Sequence, residues 1–379
     1  FLYTEGEVAD TTIWSVPVVL KVGTSSGVEE VRYLLEEKSA EIKLDSPADW
    51  ATANAGGSGF FRARYSADML KSLSSTMFEN LSPIERYGLV DDTWSSVMAG
   101  RTSATDFLDF ARSFQSETDL DVWTVLSGCL AGLDKLVEGE AKLQYKAAIR
   151  DLAQPALDRL GWEPSDSDSS RDLELRGLFI RLLANVGDDD LAIKNAGDLH
   201  DSYLVDAGSV EPNVAAAATG VVASKGDSAQ YEVFLDKYHN PTTPQEERRY
   251  QSALSAFSGE AEMDRTLAMS LDGTVRTQDA PYLLAVCMRN KEQGYRAWEF
   301  VKSNWDKINK DFPSNSIVRM LSGVTSLSKP EQAADVIAFF DDHEVPQGQL
   351  TLQQTLEKLR VNVALRERES GRFGESLTS

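Results

Sequence analysis

LSPIERYGLVDDTWSSVMAG, residues 81–100, decides the fold class. Ser82 is placed to accept from the orphan amides of a helix start, Pro83 suits the first helical position, and Glu85 can reach back to the cap. Ile84, Tyr87, Val90, Trp94, Val97 and Met98 then recur on one helix face, and Gly100 can supply the left-handed stop. The spacing predicts a helix with one face in a core. Thr243-Pro244-Gln245-Glu246 repeats the entry device, and Ser328-Lys329-Pro330-Glu331 is a looser version. From Ser66 almost to the end the apolar period stays near 3.6, broken by short Asp- and Gly-containing stretches such as GWEPSDSDSS (161–170), NVGDDD (185–190) and HNPTTP (239–244). Stacked helix pairs have this texture. With no strict repeat length, the expectation for 66–379 is an irregular HEAT-like α-helical superhelix, since so long a stretch exceeds what one bundle core serves.

Upstream of Tyr65 the period is two. Trp14 to Val22, Val31 to Leu35, Ala40 to Leu44 and Gly59 to Tyr65 read as short strands, separated by GTSSG (23–27) and NAGGSG (54–59), where a chain reverses. The expectation is a small β-sandwich over residues 1–65 in a chain that is otherwise mainly α. FLYTEGEVAD opens without a turn or cap, as a piece cut from something longer would.

Among 379 residues, 38 Lys+Arg face 60 Asp+Glu, a formal charge of -22. Such a field repels phosphate backbones and anionic lipid heads, so neither nucleic acid nor a membrane surface is expected as partner. It could draw in cationic peptides or simply keep the chain soluble. Cys129 and Cys287 stand among apolar neighbours and read as buried free thiols, which gives no argument for an oxidising compartment; a cytoplasmic location is favoured. The longest small-apolar run, Val214 to Ala223, is about half the ~20 residues a membrane helix needs.

The chemistry-bearing patterns fail one by one. Hydrolytic zinc commonly needs H-E-x-x-H, two imidazoles one helical turn apart with a glutamate base between them. Of His200, His239 and His343, none is within a turn of another, and His343-Glu344-Val345-Pro346-Gln347 ends in Gln behind a helix-breaking Pro. Gly23-Thr24-Ser25-Ser26-Gly27 matches the hydrolase G-x-S-x-G but lies between two strands, where a hairpin turn is the better account. NAGGSG lacks the Lys-Ser/Thr of a phosphate loop. The acidic run Asp166, Asp168, Asp172 has Arg171 where a calcium loop needs Gly and Gly177 where it needs Glu, and reads as a solvated linker. Asp188-Asp189-Asp190 reads as a solvated cluster. No catalytic residue and no metal ligand is expected.

Several segments together resemble the carboxy-terminal region of the gluzincin zinc aminopeptidases, the family of aminopeptidase N and puromycin-sensitive aminopeptidase. Trp14-Ser15-Val16-Pro17 is similar to the family's W-x-V-P strand, and NAGGSGFFRARY (54–65) to the segment closing its β-sandwich. LSPIERYGLVDDTW (81–94) is similar to its first helices, and SETDLDVW (116–123) to its E-x-x-x-x-x-W step. ALSAFSG (253–259), VRTQD (275–279), AWEFVKSNWDKI (297–308), FPSNSIVRMLSGV (312–324) and the run to VNVALRERE (361–369) follow in the family's order. The resemblance implies a parent enzyme that removes N-terminal residues from peptides. Its zinc motif, distal glutamate, G-A-M-E-N segment and catalytic tyrosine would precede Phe1, so no catalytic residue carries over and the zinc belongs to the parent catalytic domain.

The part implied for this chain is geometric: to enclose the substrate cavity, limit peptide size and hold the far end of the peptide, with its own catalytic domain and peptide substrates as partners. Arg319 is the substrate-binding candidate, because a guanidinium offers a rigid fork to carboxylate or carbonyl oxygens; the competing reading is a surface salt bridge. Gln278 and Asp279 read as ties between a helix and a neighbouring loop, and Trp298, Phe300 and Trp305 as core. The alternative function is a free-standing helical-repeat scaffold that binds a protein partner.

Overall fold

The computed structural model describes residues 12–345 and 348–379. Among them are seventeen α-helices and one three-stranded sheet, so the chain is mainly α with a small β part near its start. The strands are β1 (Val16–Thr24), β2 (Gly27–Leu35) and β3 (Ala48–Thr52), all antiparallel in the order β2-β1-β3. GTSSG is the hairpin turn, with Thr24 opposite Gly27. Trp50 packs over Gly23 so closely that a β-carbon there would come within 2.1 Å of the indole nitrogen.

Two expected strands are not strands. Ala40 to Leu44 is irregular, and the third strand is Ala48–Thr52 instead. Gly59 to Tyr65 runs without a ladder because its polar groups are taken elsewhere. The Ala63 amide donates to Asp92 (3.0 Å), and the Tyr65 hydroxyl bonds Thr52 Oγ1 (3.1 Å) and accepts from the Ala53 amide (3.0 Å). Among the described residues no second sheet faces the first. Helices pack against it: on α1 (Ala67–Asn80), Ser72 Oγ donates to Asp49 O (2.6 Å) and Asn80 O accepts from Lys21 Nζ (2.6 Å).

By packing, the chain forms two compact units, Phe1–Arg159 with Glu369–Ser379, and Leu160–Arg368. The first is organised around α2 (Pro83–Met98), the helix read from residues 81–100. Gly100 has φ +70° and ends it as expected. The buried face, however, is not the apolar stripe. Ile84 is exposed and Tyr87, Trp94 and Met98 are half-buried, while Glu85, Arg86 and Asp92 join Leu89, Val90 and Val97 in the interior. Each buried charge has a partner. Glu85 accepts from the Ser82 amide (2.7 Å) and hydroxyl (2.8 Å), the Gly56 amide (3.0 Å) and Lys21 Nζ (3.1 Å). Burial pushes its carboxyl up, but these donors outweigh burial and hold it below the ordinary carboxylate range. Arg86 forks onto Glu117 at 2.6 and 2.9 Å and donates to Leu81 O (2.7 Å). Glu117 also accepts from the amides of Thr118 and Asp119 (2.8 Å each), and its own carbonyl accepts from Trp123 Nε1 (2.9 Å). That bond accounts for the Glu-to-Trp spacing noted in SETDLDVW. Against α2 pack α3 (Ala104–Arg112) and α4 (Leu120–Asp134), and α5 (Gly139–Leu160) joins α4, its Tyr145 hydroxyl donating to Leu130 O at 2.6 Å. The end of α17 (Gln349–Thr378) belongs to this unit too, where Glu369 accepts from the Ala104 amide (2.9 Å).

The second unit begins with α6 (Ser170–Arg181), α7 (Asp190–Val205), α8 (Pro212–Lys225), α9 (Ser228–His239) and α10 (Pro244–Leu254). It continues through α11 (Glu260–Met269), α12 (Ala280–Cys287), α13 (Gly294–Ser303), α14 (Trp305–Asp311), α15 (Ser314–Leu321) and α16 (Pro330–Asp342). Helices α6, α8, α10, α12 and α15 follow one another in a row, and α7, α9 and α11 pack onto it, which is the expected stacking of helix pairs. The Thr243 cap is in part as read: Thr243 Oγ1 accepts from the Glu246 amide (3.1 Å), but the Glu246 carboxylate reaches back to Thr242, one residue before the cap, and α16 starts from Lys329 with no side-chain cap. Trp298 and Trp305 are buried and Phe300 packs against the same core.

Replacing Glu117 by Ala would leave Arg86 buried without its carboxylate, a loss of about 3–5 kcal/mol. We expect E117A to lose hydrogen-exchange protection first in α2 and α4, and R86M/E117L to recover part of it. Unchanged protection in E117A would contradict the organising role of this pair.

Candidate functional site

Polar groups that resemble chemistry are mostly occupied with structure. His200 is buried on α7, its ring 5.0 Å from that of Phe234 and its Nε2 3.3 Å from the Tyr250 hydroxyl. His239 is exposed at the end of α9 beside Tyr238. His343, just past α16, bonds Phe339 O through Nδ1 (2.8 Å) and stacks on the Phe339 ring at 3.9 Å; Pro346 and Gln347 of its pentapeptide lie outside the described residues. Among the described residues no three His, Cys, Asp or Glu side chains are grouped to hold a metal ion. The NAGGSG loop gives its Gly56 amide to Glu85. Asp168 belongs to more than a solvated linker, because it pairs at 2.6 Å with the fully buried Arg176. Asp189 caps α7 and Asp188 pairs with Lys225 at 2.5 Å, so that triplet is structural too. Both cysteines are free and buried, and burial pushes the Cys287 thiol up to about 12. No helix among the described residues is long and apolar enough to cross a membrane.

The helix row carries several arginines that no carboxylate pairs among the described residues. Arg319 is exposed on α15, its side chain with no hydrogen-bond or ion-pair partner among the described residues. Its surroundings follow from one bond: Arg289, just past α12, donates to Ser322 Oγ, just past α15, at 2.8 Å. A turn back along each helix lie Val286 and Arg319, and a further turn back Tyr282 and Asn315. That bond joins the ends of α12 and α15, which pack on each other, and Arg319 lies one turn before it. Tyr282 and Val286 also line a groove of about 330 Å³ between α10 and α12, whose far wall carries Arg248 and Gln251 and whose end carries Asp279. Tyr282 is 46% exposed, enough for its ring to meet a ligand. Three guanidinium groups, Arg248, Arg289 and Arg319, thus belong to the row α10, α12 and α15, none of them paired with a carboxylate among the described residues. Arg276 in VRTQD instead pairs with Glu247 (3.1 Å). Sequence reasoning named Arg319 as a candidate and did not name Arg248, Arg289 or Tyr282. EERRY reads as an ordinary charged face and PYLLAVC as core, and only the packing of helices distant in sequence brings them together.

The chain belongs to the ERAP1-like C-terminal domain family, whose family model matches residues 50–361. Its relatives are named aminopeptidases. Aminopeptidase M1 of Arabidopsis thaliana is 28% identical across 92% of this chain and 42% of its own length. Endoplasmic reticulum aminopeptidase 2 of Bos taurus is 26% identical across 94% of this chain and 38% of its own length. Puromycin-sensitive aminopeptidase of Caenorhabditis elegans is 26% identical across 97% and 40%. The chain thus spans 38–42% of the length of these relatives.

The buried histidine offers a check on the packing of α7, α9 and α10. Burial, chiefly, lowers the His200 pKa from 6.5 to about 4. Its neutral form is folded and its unfolded form protonates first, so its contribution is complete above pH 6.5 and is lost as pH falls toward 4. At about 1.4 kcal/mol per unit the loss approaches ~3 kcal/mol. His200→Leu should flatten the stability profile relative to the parent chain between these values; parallel profiles would show that the imidazole titrates freely.

Proposed function

We propose that this chain is the non-catalytic C-terminal part of a zinc aminopeptidase, where it encloses the substrate cavity and limits the size of peptide admitted. The family match supports this reading, and the observation that carries it is the arginine-bearing face of α10, α12 and α15. In a chain of net charge -22, guanidinium groups left without carboxylates are suited to peptide carboxylates and carbonyl oxygens. Tyr282 adds a ring against which a peptide side chain can lie. Arg319 is the substrate-binding residue of this face. The residues of this chain do not fit zinc, since its three histidines have three separate structural partners; the zinc belongs to the attached catalytic domain. Residues 1–65 act as a β-rich spacer and 66–379 as the helical domain that folds over the cavity. Two buried free thiols suit a cytoplasmic enzyme.

In the full-length enzyme, Arg319→Ala should weaken the handling of long peptides by ~1–3 kcal/mol, the range for a lost charged hydrogen bond, and leave single-residue reporter substrates nearly unchanged. Equal loss on short and long substrates would overturn the assignment. The 379-residue chain alone should release no product from an aminoacyl reporter; turnover abolished by a chelator would refute the non-catalytic reading.

A further inference from the structure

A second hollow, lined by residues of the first unit alone, is separate from the groove just described. It measures about 780 Å³ and lies between α1 and α3, closed by the stretch before α1 and the turn before α3. Leu70 and Phe110 supply apolar wall, and Arg64, Lys71 and Arg101 reach it from three separate segments. All three cations are exposed, and none of their side chains has an ion-pair or hydrogen-bond partner among the described residues. Several other cations of this unit are paired: Lys21 with Glu85, Arg62 with Asp91 and Asp92, Arg86 with Glu117. Asp106 and Asp109 line the opposite wall, but Asp109 is paired with Arg112 at 2.5 Å and Asp106 accepts from Ser103 Oγ at 2.6 Å. The wall hydroxyls of Ser74, Ser75 and Ser113 have given their hydrogens to backbone carbonyls, while Ser66 Oγ accepts from the Met69 amide and keeps its own, so the charged donors left here are the three cations, with the Ser66 hydroxyl beside them. Like charges around one hollow repel, and an anion between them relieves that repulsion.

We propose that this hollow binds a small organic dianion, a phosphate or dicarboxylate head on an apolar body. Its volume lies in the range of small-molecule sites, the cations would take the head, and Leu70 and Phe110 would take the body. The test is calorimetric titration of the 379-residue chain with 1-naphthyl phosphate, 2,3-naphthalenedicarboxylate, 1-naphthol and inorganic phosphate. We expect the two aryl dianions to bind, and whichever is tighter identifies the head group. Naphthol should not bind, and inorganic phosphate should bind at least about tenfold more weakly than the aryl dianions. The triple variant R64Q/K71Q/R101Q replaces only exposed side chains, and its thermal unfolding checks that it folds. It should weaken the aryl dianions by about tenfold or more, with a smaller dependence on salt. Binding that survives the triple variant, or no binding of either dianion at millimolar concentration, would overturn the proposal. A hexaglutamate peptide that outcompetes both would overturn it in favour of an acidic polypeptide.

Discussion

The bidentate contact between Arg86 and Glu117 is the constraint from which the first unit is built. Two opposite charges removed from water stabilise a fold only when their geometry is good and their remaining hydrogen-bonding capacity is met. Here Arg86 also reaches Leu81 O, and Glu117 takes two amides at the approach to α4. The pair therefore fixes the register of α2 against that approach, and Trp123 locks the same approach from the other end through its bond to Glu117 O. With α2 held, Glu85 and Asp92 are aimed at the sheet, the glycine-rich loop and the Arg62 to Ala63 stretch. One helix thereby organises segments that are far apart in the chain. Its buried charges do the work that a larger second sheet would otherwise do.

The second unit depends on apolar packing more than on ion pairs. Its aromatic core, with Phe234, Tyr250, Phe257 and Trp298 fully buried, is assembled from successive helix pairs. Many of its salt bridges, such as Arg265 with Glu232 and Lys194 with Asp198, are exposed and contribute little. This division of labour frees the outward face of the row. Arg248 and Arg319 there have no side-chain partner among the described residues and Arg289 meets only the Ser322 hydroxyl, so cations stand without carboxylates in a chain whose acidic residues outnumber its basic ones. An acidic protein that leaves particular arginines unpaired has placed its attraction for anions locally, against its own average field.

The family match covers residues 50–361, which includes both the α2 network and the arginine-bearing row. The motifs that resemble the aminopeptidases are largely the ones that meet in space. The Arg86 of one and the Glu117 of another form the central pair, and the Gly56 of a third binds Glu85. Such segments are distinctive because each is half of an interaction, and a half has no obvious meaning when read alone.

The sequence by itself determined the helix starts, the hairpin turn, the stop at Gly100, the buried thiols and the lack of a zinc pattern. Each depends on residues a few positions apart, where backbone sterics and capping act locally. It misjudged which face of α2 is buried, because Glu85, Arg86 and Asp92 look like a solvated stripe until their partners are known. Gly59 to Tyr65 looked like a strand for a related reason, since alternation records which side chains are apolar and says nothing of where backbone donors find acceptors. Only the tertiary structure decided these points, along with the grouping of Arg248, Arg289 and Arg319 in one row of helices. Burial of a charge and convergence on a ligand are properties of pairs brought together by packing, and no single stretch of chain contains them.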